Sequence, residues 1–471
     1  MFGILLGVLS ALLLNASCRK KVREPAFAGQ FYPEDPAELN KFINEIMNEP
    51  ARIITDRIYA MIVPHSGYQL SAGVAAAGFV QINREFDKAF IIAANHNGKA
   101  IYKGASLDTD THYGIPGGEI TVSTKIVRQL LNKPIYKEII PANALHMIEV
   151  ELPFLKKTAE LQGGRKFKII PEILGVLDDK DAEEITKDIN YYYDDNTLLI
   201  ASMDFSHYFP YEKAVEKDRY CINAVLTMDE AAVKNCETDS NQVLKVILRF
   251  AKLNNLTPKL LAYRNSGDIT GDRKSVVGYT SIVFIKNFNL SKNEKKILLD
   301  IAKKSIEEYV KTGGIFAPPV FPRLTAKRAS FVTLKKDGKI RGRMGQLIPQ
   351  EEIHLSIRNN AIAAATKDIR FPPVTREELN SVTIEVSILD YPQQMILKEP
   401  AEVVQFLKPG TGLILNYHGQ QAALQPDEWA ELASPGAFVS ALCKKMSAPK
   451  DCWKQSGASF YIYTTISFSD K

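Results

Sequence analysis

A chain of 471 residues is too long for one ordinary hydrophobic core and points to at least two domains. Its 45% hydrophobic and 24% charged residues are those of a soluble globular protein. The net charge of +5 is spread along the length with no basic block interleaved with aromatics, which excludes nucleic acid as an expected partner.

Phe2 to Leu14 is nearly all apolar, and Asn15-Ala16-Ser17-Cys18 has the form of a lipoprotein signal with Cys18 as the acylated residue. Arg19, Lys20, Lys21 and Arg23 follow it. Residues 1–18 are therefore expected to attach the protein to a membrane, a cytoplasmic protein being the alternative. The other cysteines are Cys221, Cys236, Cys443 and Cys452; with no CxxC pair, so sparse and odd a set favours individual roles over a disulfide framework.

A helix is predicted from about Pro36 to Met47, after the turn-rich Pro25-Ala26-Phe27-Ala28-Gly29-Gln30-Phe31-Tyr32-Pro33. From there to about residue 288 apolar runs alternate with helical stretches, the pattern of an α/β domain. Gly114-Ile115-Pro116-Gly117-Gly118 reads as a loop, and Asn265-Ser266-Gly267-Asp268-Ile269-Thr270-Gly271-Asp272 as a tight turn before the last strand. Neither fits a nucleotide-binding fingerprint, and no G-x-S-x-G elbow is present. The boundary is placed near residue 290, which gives a first domain of 19–290 and a second of 291–471. The second domain reads as α+β. Helices are expected at Ser291–Lys311 and Glu351–Lys367, a strand at Ala329–Lys335 turning at Asp337-Gly338, a capping box at Thr375-Arg376-Glu377-Glu378, and a half-buried strand through Val382, Ile384, Val386 and Ile388.

The candidate chemistry lies in the first domain, which holds His65, His96, His112, His146 and His207. His65 follows the apolar run Ile58–Val63, His96 follows Ala89–Ala94, and His207 follows Thr197–Ser202. If these runs are parallel strands, the three histidines converge on the carboxyl edge of one sheet, where such folds bind ligands. A single histidine at a strand end is usually structural; three in succession are harder to dismiss. Imidazoles suit transition metals, and the anionic ligand could be Cys236, Asp204 or Glu149.

The same residues carry a resemblance. Pro25–Pro33, Pro64-His65-Ser66-Gly67-Tyr68, Asn95-His96, Leu145-His146-Met147-Ile148-Glu149-Val150-Glu151-Leu152-Pro153-Phe154, Ser202-Met203-Asp204-Phe205-Ser206-His207-Tyr208 and Val276-Val277-Gly278-Tyr279 occur in order. Together they resemble the Memo family, AmmeMemoRadiSam system protein B, over about residues 23–286. Phe331-Val332-Thr333-Leu334, Ile340-Arg341-Gly342, Arg370-Phe371-Pro372-Pro373-Val374 and Ile384-Glu385-Val386-Ser387-Ile388-Leu389 resemble the AMMECR domain, AmmeMemoRadiSam system protein A, over about 292–468. Where that family has a cysteine after Arg-Gly, this chain has Arg343.

The resemblance implies a first domain similar to class III extradiol dioxygenases. It implies His65, His96 and Cys236 as metal ligands, with iron as the expected ion and copper or zinc as alternatives. His207, oriented by Asp204, and His146, near Glu149, are expected to handle protons as catalytic groups. The expected function is a metal-dependent redox or dioxygenase-like protein, with a separate radical SAM protein as partner and an unidentified small molecule or peptide as ligand. The alternatives are a binding module that keeps the pocket without chemistry and, third, a zinc hydrolase.

Overall fold

The computed structural model describes residues 20–96, 98, 101–286, 288–432 and 434–470. The apolar segment read as a lipoprotein-like anchor lies outside the described residues. Among those described, no helix is long and apolar enough to cross a membrane.

The first domain is built on one mixed sheet of twelve strands. In chain order these are β1 (Val22–Arg23), β2 (Ile58–Val63), β3 (Lys88–Ala94), β4 (Ala105–Leu107), β5 (His112–Ile115), β6 (Gly118–Val122), β7 (Tyr136–Lys137), β8 (Lys168–Leu174), β9 (Thr197–Ser202), β10 (His207–Phe209), β11 (Leu256–Asn265) and β12 (Val276–Lys286). The order across the sheet is β1-β5-β6-β8-β3-β9-β2-β12-β10, with β11 also on β12, β4 on β8 and β7 on β4. The centre is parallel: β9 lies between β3 and β2, in register with both. These strands are almost wholly buried, as expected of a parallel sheet covered on both faces.

Helices α1 (Pro36–Asn48), α2 (Tyr68–Phe79), α3 (Leu152–Leu161), α4 (Asp179–Tyr192), α5 (Tyr211–Leu226) and α6 (Asn241–Leu253) provide the principal cover. Each start that matters here is specified locally. The Asp35 side chain accepts from Ala37 N and Glu38 N ahead of a proline at the first helical position, and Ser240 accepts from Val243 N to open α6. The polar loop before β12 is a turn with a defined geometry. Asn265 caps one short helix, Ser266–Thr270, which Gly271 closes at φ 77°. The Gly114–Gly118 stretch is the tip of the β5–β6 hairpin.

The second domain begins with α7 (Lys292–Thr312), opened by a reciprocal Ser291–Glu294 capping box and ended by Gly313 in the left-handed region. Helix α7 and α8 (Ile353–Thr366) pack with a four-stranded sheet of order β14-β13-β15-β20, whose strands are β13 (Ser330–Lys336), β14 (Lys339–Gly345), β15 (Val382–Leu389) and β20 (Thr465–Ser469). A second sheet, of order β16-β19-β17-β18, uses β16 (Gln393–Gln394), β17 (Gly412–Tyr417), β18 (Gln420–Leu424) and β19 (Ala458–Tyr463). Its core includes α9 (Pro435–Lys445).

Two expectations change here. Thr375–Glu378 opens no helix: Glu378 does accept from Thr375 N, but its carboxylate is also held by Arg341 and Lys336, and the chain stays in turns. Cys443 and Cys452 form a disulfide, because the end of α9 and the following turn return the chain across nine residues onto the same buried cluster.

The domains meet through ion pairs and through Tyr391 and Ile396, which are buried in the first domain's core. Arg328, 3% exposed, holds both oxygens of Asp56 at 2.8 and 2.6 Å, and the Tyr391 hydroxyl donates to the same carboxylate at 2.9 Å. Lys259–Asp390, Arg219–Glu402 and Lys398–Glu216 add three further pairs across the junction.

Candidate metal centre

The parallel strands deliver their terminal residues to one place. After β2, Pro64 ends pairing and His65 donates its backbone N–H to Asp204 Oδ1 at 3.0 Å, while the Ser66 hydroxyl donates to Oδ2. After β9, Met203 N still bonds Val63 O at 2.9 Å, so the turn carrying Asp204 lies directly beside His65. A third segment arrives from outside the sheet. Between the short 3₁₀ turn Ala232–Asn235 and α6, Asp239 accepts from Asp204 N at 2.8 Å and donates its own N–H to Asp204 O at 3.3 Å. Asp204 thus fastens the His65 loop to the Asp239 loop.

His65, His96 and Asp239 offer ligand atoms that all lie within 4.8 Å of one another. Asp239 Oδ2 is 3.1 Å from His65 Nε2 and 3.3 Å from His96 Nε2. The first of these approaches lacks hydrogen-bond alignment: His65 Nε2 and Asp239 Oδ1 are both buried without a hydrogen-bond partner. Buried polar atoms seldom go unsatisfied, and two imidazoles and a carboxylate this close together fit a bound cation. Burial opposes charge on His65, but Asp204, Asp239 and Glu151 outweigh it and raise its pKa to about 9. Burial works against the Asp239 carboxylate as well, and His65 and His96 overcome it and hold its pKa well below the usual range. The surroundings favour positive charge at this point.

His65 is oriented from behind. Its Nδ1 lies 3.3 Å from the Ser202 hydroxyl, which bonds Glu151 Oε1 at 2.7 Å. Glu151 is fully buried, and desolvation pushes its pKa up to about 8, against the pull of Ser202 and His65. His146 completes the wall, with its ring 5.3 Å from that of His65 and 5.9 Å from that of His96, and stacked on Phe31 at 4.3 Å. Burial first, then repulsion from His65 and His96, lowers its pKa to about 3, so it is a neutral imidazole. A cavity of about 430 Å³ opens beside Asp239, bordered by Asn95, Tyr102, Thr238 and Asn241.

The remaining candidates lie elsewhere or act differently. Cys236 ends the 3₁₀ turn with its thiol against Cys221 of α5, outside the histidine cluster; the anionic position there is taken by Asp239, three residues on. Glu149 is fully buried and spent on structure: it accepts from Arg23 Nη1 (2.6 Å), Ala26 N (3.1 Å), Phe27 N (2.8 Å) and the Tyr32 hydroxyl (2.7 Å). His207 starts β10, where the chain has already crossed to pair with β12, and its ring neighbour is Tyr208 rather than the other histidines. Asp204 faces His65 and Ser66, not His207. His112 lies on β5, 4.0 Å from Glu119.

Asp239 and Glu151 went unread in the sequence because neither stands at a strand end. The one available signal was an aspartate immediately before a serine-capped helix. In the second domain, Arg343 takes the place of the expected cysteine. It bonds the Thr333 hydroxyl at 2.9 Å and pairs with Asp427, a structural use of the position.

Comparison with known proteins accounts for both domains. Residues 23–283, more than half of the chain, match the family described as Memo-like protein, and residues 299–468 match AMMECR1. A MEMO1 family protein of Methanopyrus kandleri is 30% identical over 282 residues, covering 56% of this chain and 98% of the relative. One from Aquifex aeolicus is 31% identical over 283 residues, covering 56% and 100%. The crystal structure of an uncharacterised protein of Pyrococcus horikoshii aligns with 39% of this chain and 95% of its own, at 30% identity and a TM-score of 0.38. The chain belongs to the Memo-like family and carries an AMMECR1 domain fused behind its Memo domain.

Proposed function

We propose that this protein binds one divalent transition metal, iron(II) in preference to copper or zinc, between His65, His96 and Asp239, and acts on a small molecule or peptide as a dioxygenase-like redox protein. The observation that carries the reading is the two-histidine, one-carboxylate set, buried at His65 and open to solvent at His96, with its unpartnered His65 Nε2 and Asp239 Oδ1. That donor set with open positions is shared by non-haem iron sites and catalytic zinc sites and differs from structural zinc, which is closed by four ligands; the preference for iron rests on the family resemblance. When bound, the ion supplies Lewis acidity and a redox-active centre.

The chain's own residues set the conditions. Ser202 and Glu151 fix the ring of His65 from behind, and the Asp204 N–H fixes Asp239. His146, neutral and packed on Phe31, stands beside His65 and His96 without adding charge to the site. The loss of the AMMECR cysteine to a paired Arg343 supports a second reading, a binding module without turnover. On the family resemblance, a separate radical SAM protein is the proposed partner.

The test is elemental analysis of anaerobically purified protein, followed by oxygen uptake. Near-stoichiometric iron, lost in His65→Ala, with oxygen consumption on reduction supports the redox reading. Bound metal without oxygen consumption favours the binding module. No metal after reconstitution sinks both the metal site and the redox reading.

A further inference from the structure

A cavity of about 580 Å³, separate from the one beside Asp239, lies between the two domains. One wall is α2 and the edge strand β11; the other is built from the segment after β14 together with Tyr391, β17 and β19. We propose that this cavity is a second ligand site, taking a small uncharged molecule with a planar ring body and amide or carbonyl hydrogen-bonding groups.

Its size and its position at a domain junction are those of small-molecule sites. The chemistry of the lining selects the class. Tyr263 and Tyr391 line the cavity, but their hydroxyls are committed elsewhere, to Asp218 at 2.7 Å and Asp56 at 2.9 Å, so what they offer a ligand is ring surface. Val74, Leu347 and Ile414 add aliphatic contact. The polar lining is largely amide, from Gln394, Asn416 and Gln421, with Gln421 already donating to Asn416 at 2.9 Å.

The edge of β11 supplies backbone groups as well. Among the described residues its neighbour in the sheet is β12, and on the open side the side-chain carbonyl of the lining Gln394 accepts from Tyr263 N at 3.3 Å. That bond is long for N–H···O, and a ligand carbonyl can replace it. The charged liners, Glu49 and Arg264, are both exposed at the rim. A charged ligand would lose its hydration inside without gaining a partner, so the cavity discriminates against it.

The test is saturation-transfer NMR on the full chain with three probes of one shape: benzamide, benzoate and benzamidinium. Benzamide is expected to bind saturably with Kd on the order of 1 mM, and each charged analogue about tenfold more weakly or not at all. Asn416→Trp and, independently, the more exposed Gln421→Trp should abolish the benzamide signal while metal content and the urea midpoint stay unchanged. Non-saturable benzamide contact overturns the proposal, as does equal binding of the charged analogues. Binding that survives in both folded variants overturns it too.

Discussion

Replacing Glu149 separates a structural carboxylate from a catalytic one. Its side chain is fully buried and accepts from four donors, one of them the Arg23 guanidinium, itself only 9% exposed. Glu149→Ala leaves that cation without its counter-charge and two backbone N–H groups without an acceptor. Breaking one partner of a buried pair costs about 3–5 kcal/mol. Arg23 keeps bonds to the Asn143 and Leu145 carbonyls at 3.2 and 3.0 Å, which moves the expectation toward the lower end. Glu149→Gln retains one acceptor oxygen but turns an amide N–H toward donors, and should cost about 2 kcal/mol. Urea unfolding followed by tryptophan-independent circular dichroism measures both. Because Phe27 and Phe31 pack on His146, the loss should be accompanied by weaker metal retention. Stability within about 0.5 kcal/mol of the parent, combined with abolished turnover, would refute the structural role and return Glu149 to catalysis.

Glu172 on β8 gives a pH-dependent prediction. Both its oxygens are buried without a hydrogen-bond partner, and desolvation, then Asp188, raises its pKa from 4.5 to about 8. The folded chain therefore holds this proton more tightly than the unfolded one, and stability from this group is full below pH 4.5 and drains away as pH rises toward 8. Glu172→Gln should match the parent near pH 4.5 and exceed it by about 3 kcal/mol at pH 7; an equal gain at both pH values contradicts this. At the domain junction, Arg328→Met strands Asp56 and should cost about 3 kcal/mol in the unfolding of the fused chain, with no change expected if the contact is only superficial. Cys443→Ser with Cys452→Ser opens a loop closed across nine residues and should cost about 3 kcal/mol, absent when the parent is measured under reducing conditions.

The strand runs and their terminal histidines were legible because a buried parallel strand is a short apolar block and its end is where the pattern breaks. Reading β2, β3 and β9 as parallel brought His65 and His96 to one edge, and both are there. His207 followed the same rule and still fell elsewhere, because four residues after β9 suffice for the chain to cross to β12. The third member of the cluster was harder. Cys236 carries the more conspicuous chemistry, yet its backbone turns its thiol toward Cys221, and only the tertiary zip between Asp204 and Asp239 selects the aspartate. The same limit hid the disulfide: Cys443 and Cys452 meet because a helix ends between them, a detail finer than cysteine counting resolves. The anchor-like segment falls outside the described residues, and its role rests on the sequence.

The most direct test of the account is the metal content of Asp239→Ala beside Cys236→Ala, each purified anaerobically and reconstituted with iron(II). Asp239→Ala is expected to lose the ion and Cys236→Ala to keep it near stoichiometry. Retention in Asp239→Ala with loss in Cys236→Ala would contradict it and make the thiolate the third ligand.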